Sequence, residues 1–244
     1  MLLVNPMKIW LLAPPSLDDL IRLLRAWRFW VLGALAGGLL GAAVYAVFPP
    51  AYRARAAVTV DFNLEQSWPD DPDSQLFYYL DRESRKLAEV AWADATLEAV
   101  AAKTGIPVPA LRSGKLELSQ PQDGIWSFYA DDPQPDVAVK LAAAWAEAFT
   151  AQAQQGIQTE VALSAARKAL DADPSDEKLK SAVNTLETQS LGITPELQIS
   201  LSQGKDLSAA RKTGLGTYAL AGAGVFLALA AFLILFFPIG QNRV

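Results

Sequence analysis

Residues Phe29–Phe48, FWVLGALAGGLLGAAVYAVF, decide how the chain is read. The stretch carries no charge over twenty residues. At about 1.5 Å per residue a helix of that length reaches about 30 Å, the thickness of a bilayer's hydrocarbon core. A second charge-free run, Gly214–Phe237, lies near the other end. The chain therefore reads as two membrane helices with a water-soluble domain between them. The expected division is a cytoplasmic segment 1–28, a first transmembrane helix 29–48 and an extracytoplasmic domain 49–213. A second transmembrane helix 214–237 and a cytoplasmic tail 238–244 complete it.

Working outward, Ser16 suits a helix N-cap, with Asp18 and Asp19 in the first turn where the helix dipole favours acids. Leu17, Leu20, Ile21 and Leu24 fall on one face, and Arg22, Arg25 and Arg28 follow just before the apolar run. Residues 1–15 give no clear element. Their apolar Ile9–Leu12 stretch, stopped by Pro14–Pro15, suits a segment at the membrane surface. The basic region begins late and the apolar core exceeds an ordinary signal peptide's, so an uncleaved anchor is expected. The basic N-terminal flank places both termini in the cytoplasm, although Arg53, Arg55, Arg211 and Lys212 on the far side weaken that vote.

Gly33, Gly37 and Gly41 recur every four residues on one helix face. Small residues at this spacing let another helix approach closely, and glycine is also simply frequent in membrane helices. Both readings stand at this point.

Composition narrows the chemistry. The 244 residues suffice for one domain plus two spans. With no Cys and no His, thiol chemistry, disulfides, Cys or His metal sites and His-based triads are excluded. The segment Ala51–Lys212 holds 16 of the 21 basic and 24 of the 26 acidic residues. Its acidity disfavours nucleic-acid binding.

After Pro49–Pro50 stops the first helix, Tyr52–Phe62 turns to a period of two, with Tyr52, Ala54, Ala56, Val58 and Val60 on one strand face. Residues 63–73 read as a polar loop. Asp70, Asp71 and Asp73 lack the spacing and glycine of a calcium loop, so a solvated acidic loop ending in a helix cap is expected. From Ser74 the period is helical through Leu76, Leu80, Leu87, Val90 and Ala91. A short helix Asp94–Thr104 follows, with Leu97, Val100 and Ala101 inward, Gly105 as left-handed C-cap and Pro107 as stop. Lys115–Gln120 and Ile125–Ala130 read as a hairpin about the turn 121–124.

Asp132–Pro133 is expected to open a helix, with Val137, Leu141, Ala144, Trp145, Ala148 and Phe149 at spacings of three and four, continuing past Gly156 to about Leu170. Asp173–Pro174 is expected to cap a further helix carrying Leu179, Val183 and Leu186, which makes an antiparallel hairpin arm. Glu196–Gln203 alternates as a last strand. The fold class that results is α+β: a small membrane-proximal mixed sheet, entered by the first and last strands, with a projecting long-helix arm.

This order of elements resembles the polysaccharide co-polymerases, the Wzz-type chain-length determinant family. The features that carry the resemblance are the Ser16–Arg28 segment running into the first span, the proline followed by Tyr52-x-Ala54-x-Ala56, and Asp132–Pro133 followed by Ala138 and Ala142. Two departures stand out. The proline-rich segment the family usually has before its second span is represented by Pro195 alone, well upstream. The chain also holds no kinase domain and no G-x-x-x-x-G-K-[ST] loop. The resemblance implies a kinase-less, short form: a homo-oligomeric ring in the inner membrane beside a membrane polymerase that extends a lipid-linked glycan. The ring sets chain length in O-antigen, capsule or exopolysaccharide without making or breaking bonds, and uses no cofactor and no metal. It also allows a second role, as a transmembrane adaptor that activates a separate cytoplasmic tyrosine kinase in polysaccharide export.

Trp68, Tyr78, Tyr79 and Trp126 are candidates for stacking on sugars. The competing reading is that these aromatics fill the core or a subunit interface. Trp27, Trp30, Tyr45, Tyr52 and Tyr218 read as membrane-interface anchors. Paired carboxylates can hydrolyse glycosides, but helix capping explains Asp131–Asp132 and no motif assigns a nucleophile or base. Catalysis is not expected.

Overall fold

The computed structural model describes residues 21, 25–64, 73–120, 124–202 and 207–236. The expected surface segment 1–15, the Ser16 cap, Trp68 with its acidic loop, residues 121–123 of the hairpin turn and the C-terminal tail lie outside them. The described chain forms two compact units. One holds the first and last apolar helices and the other is Ala51–Lys212.

In the first unit, α1 (Trp27–Val47) and the last helix, Leu215–Phe236, pack together as an antiparallel pair. The larger unit is built on β1 (Tyr52–Asp61), the central strand of a five-stranded sheet. Then come α2 (Asp73–Trp92), α3 (Asp94–Thr104), a single turn α4 (Val108–Ala110) and a wide turn Leu111–Lys115. The hairpin β2 (Leu116–Ser119) and β3 (Ile125–Asp132) precedes α5 (Pro135–Ala172), α6 (Glu177–Gln189), β4 (Gln198–Leu201) and β5 (Ala209–Arg211). The apolar helix Leu215–Phe236 is α7.

Every strand pair is antiparallel, which corrects the expected mixed sheet. β3 covers one edge of β1 from Tyr52 opposite Asp132 to Thr59 opposite Ile125. The other edge is shared: β4 takes Val58–Asp61 and β5 takes Tyr52–Ala54. β4 is shorter than the expected Glu196–Gln203, and β5 was not expected. Three residues are too few to show an alternating pattern.

One sheet face is buried. Ala54, Ala56, Val58 and Val60 of β1 and Trp126, Phe128 and Ala130 of β3 point into the core. α5 is held against them through Ala138, Leu141, Ala142, Trp145, Phe149 and Ala153, a stripe at spacings of three and four. Leu97 and Val100 of α3 close the core, and Gly105 ends α3 in the left-handed conformation at φ 75°.

α5 has 38 residues and is about 57 Å long. It passes Gly156 unbroken, and a Cβ there would meet the Leu191 and Ile193 methyls at 2.8 and 2.9 Å. The glycine lets the returning segment cross the helix. Beyond residue 157, Leu163 is the one α5 residue fully buried, and α6 folds back beside it with Val183 inward and a 2.7 Å Arg167–Glu187 ion pair. This is the hairpin of long helices.

Two caps differ from expectation. Asp132 ends β3 instead of capping α5. Its carboxylate takes the Gln134 N–H at 3.0 Å and the Lys115 ammonium at 2.6 Å, and the helix starts at Gln134 with Pro135 as its first residue. Asp173 holds a tight turn by accepting from Ser175, and the cap of α6 is Asp176, which accepts from the Lys178 and Leu179 N–H groups. In both places the acid accepts from the N–H two residues on and closes a local turn, and the helix begins beyond it.

Candidate functional site: a glycine seam and a charged sheet end

The seam belongs to the two apolar helices. Gly41 lies against Tyr218, Gly37 against Gly222 and Phe226, and Gly33 against Phe226 and Ala230. A Cβ built on Gly37 would strike the Gly222 carbonyl oxygen and lie 2.8 Å from the Phe226 Cβ. One built on Gly41 would strike the Tyr218 carbonyl oxygen, and one on Gly222 that of Gly37. Backbone here meets backbone, which only residues without a side chain permit. Gly222 was missed in the sequence, though Tyr218, Gly222, Phe226 and Ala230 repeat every four residues and give the complementary face. The Tyr45 and Tyr218 rings meet edge to face at 5.4 Å.

Away from the seam the pair is apolar and exposed. Leu39, Val47, Phe48 and Leu220 keep between 67 and 76% of their surface. Both helices are long and apolar enough to cross a membrane. So much uncovered hydrocarbon is foreign to a water-facing surface.

The sugar-stacking candidates do not gather into one surface. Tyr78 on α2 is 74% exposed. Tyr79 beside it is buried, with its hydroxyl 2.9 Å from Thr194 Oγ1. Trp126 is 2% exposed and stacked on Phe149 at 5.7 Å, so its faces belong to the core. The sequence carried the signal for this: Trp126, Phe128 and Ala130 alternate along β3 on the side that faces α5.

In the larger unit, charge collects at the end of the sheet where β1 begins, β3 ends and β5 pairs. Arg53 grips Asp131 with two bonds, from Nε to Oδ1 at 2.7 Å and from Nη2 to Oδ2 at 2.9 Å, and reaches Glu117 at 2.5 Å. Lys212 Nζ donates to Asp131 Oδ2 at 2.9 Å. Lys115 pairs with Asp132. The Arg53 guanidinium lies over Tyr129 and the Arg211 guanidinium over Tyr52, 5.2 and 4.3 Å from the ring centroids. Arg55 donates to Ser127 Oγ at 2.9 Å. The four cations that flank the apolar runs on this side are thus all engaged within the domain.

Comparison with protein-family models and with curated proteins returns no match. The arrangement itself indicates what the charges do. Burial works against the Asp131 carboxylate, but the Arg53 and Lys212 donors outweigh it and hold its pKa below the ordinary value. Burial likewise opposes Asp132, and the Lys115 ammonium with the Gln134 N–H brings it below the ordinary value. Asp131 and then Glu117 hold the Arg53 guanidinium more firmly protonated than usual, against the cost of its partial burial. Such pairs fix a strand end; ionised acids hydrogen-bonded to cations are poor proton carriers. Among the described residues no group of three or more acids is placed to hold a metal.

A pH dependence follows. Both aspartates have lowered folded pKa values, so their contribution is complete above the unfolded value of 3.8 and fades as pH falls through the folded values. Urea unfolding of the full chain in detergent should give a stability that is level above about pH 5 and declines below about pH 4. Asp131→Asn should lower the plateau by about 2 kcal/mol and flatten the acid decline. An acid decline as steep in the variant as in the wild type would contradict this assignment.

Proposed function

We propose that the chain is a two-pass inner-membrane protein that regulates the length of a surface polysaccharide. α1 and α7 cross the bilayer with both termini cytoplasmic, and Ala51–Lys212 stands on the outer side. The protein works as a homo-oligomeric ring beside a membrane polymerase acting on a lipid-linked glycan, and it makes and breaks no bond itself.

The observation that carries this reading is the pairing of β1 with β5. Tyr52 lies opposite Arg211 and Arg53 opposite Ala210, so the residues that follow α1 and those that lead into α7 are neighbours in one sheet. A domain tethered by two apolar helices at one end needs that closure. The long α5–α6 hairpin suits a scaffold. The polysaccharide itself comes from the resemblance to the chain-length determinants. Deleting the gene should abolish the preferred length of the host's surface polysaccharide while polymer is still made, read as a change from a modal band to a smooth ladder on a gel.

A further inference from the structure

β5 is held to the sheet differently from the other strands. It has three residues and pairs only with Tyr52–Ala54 at the start of β1. A strand so short contributes few ladder bonds. β4 ends with Leu201 opposite Val58, the Ser202 N–H donates to the Ala57 carbonyl at 2.9 Å, and β5 begins with Ala209 opposite Ala54.

Leu207 and Ala209 pack partly buried against the core, and further contacts hold the far end of β5. The Lys212 N–H donates to the Ala51 carbonyl at 3.0 Å, and the Arg211 guanidinium sits over Tyr52. The Lys212 ammonium crosses β1 to reach Asp131 on β3. Asp131 is 14% exposed and is already oriented by the two bonds from Arg53, which Glu117 in turn helps to hold. Lys212 is 48% exposed, and its release leaves Asp131 still held by the two bonds from Arg53.

We propose that Lys212 and Asp131 form a latch, and that residues 207–212 are a strap that opens from the sheet while β1–β4 stay folded. The next described element is α7, beginning at Leu215, so the latch determines whether the chain entering that helix is clamped to the domain or free. This gives the domain two states of its exit segment, in which Leu207 and Ala209 leave or rejoin the edge of the core while β1–β4 stay paired. Local opening of this kind draws on the least-contacted parts of a fold.

Hydrogen–deuterium exchange of the full chain in detergent micelles, read by mass spectrometry at neutral pH, tests it. In Lys212→Gln and in Asp131→Asn, peptides covering 207–214 should exchange about tenfold faster than in the wild type, the loss expected for one charged hydrogen bond. In Lys212→Gln, peptides from β1, β3 and β4 should stay within about twofold of wild type. Lys212→Arg should restore slow exchange. Unchanged exchange at 207–214 in Lys212→Gln would overturn the latch. Acceleration through β1–β4 in that variant would overturn the separate strap.

Discussion

Gly37→Leu should separate α1 from α7. At this position even a methyl group collides with the Gly222 carbonyl, and a leucine also displaces Phe226. Overpacking of a close contact costs about 1–3 kcal/mol when neighbours can yield, and a helix backbone yields poorly. A cross-link reads the effect. A Cβ on Gly33 would lie 3.7 Å from the Ala230 Cβ, inside the window of about 3.5–4.5 Å for a disulfide. The chain has no cysteine, so Gly33→Cys combined with Ala230→Cys gives a single possible intramolecular bridge. Mild oxidation in membranes should close it readily, and adding Gly37→Leu should slow closure about tenfold or more. Equal rates would mean that the two helices do not meet along this seam.

The second large effect is expected at Trp145. Its ring is completely buried, meets Phe128 edge to face at 4.9 Å and Trp92 at 4.8 Å, and donates from Nε1 to the Ala91 carbonyl at 2.8 Å. It therefore joins α5, β3 and the end of α2 in one contact. Trp145→Ala removes the packing, opens a cavity and orphans a buried carbonyl. The cost should be about 4 kcal/mol, a large part of the roughly 5–15 kcal/mol that holds a domain folded. The urea midpoint of the full chain in detergent measures it. Val161→Ala on the outer part of α5, where the side chain is 52% exposed, serves as the comparison and should change stability by about 0.5 kcal/mol or less. Similar losses in the two variants would contradict the placing of the core.

These two positions show what the sequence made legible. The stripe containing Trp145 and the four-residue glycine spacing are local periodicities, and local periodicity is set by one element's own geometry. For the same reason α3 with its Gly105 cap and the buried face of β1 were readable. Three features were not. The sheet's antiparallel order depends on which distant strands meet, and β5 is too short to carry a pattern. The Asp132 and Asp173 caps looked sound in isolation, but Asp132 is also engaged by the distant Lys115, and Asp173 closes a local turn with Ser175 ahead of the helix. The Arg53–Asp131 pair joins residues 78 apart, so no spacing rule points to it. The aromatic reading had a local signal in the alternation of Trp126 with Phe128, and the core claimed that ring.

Length control is tested most directly by the size distribution of the surface polysaccharide in a gene-deletion strain that carries the wild-type gene, the Gly37→Leu gene or an empty vector. The account predicts a preferred length with the wild-type gene and a featureless ladder with the other two, polymer being made in all three. The same distribution in all three strains would contradict it.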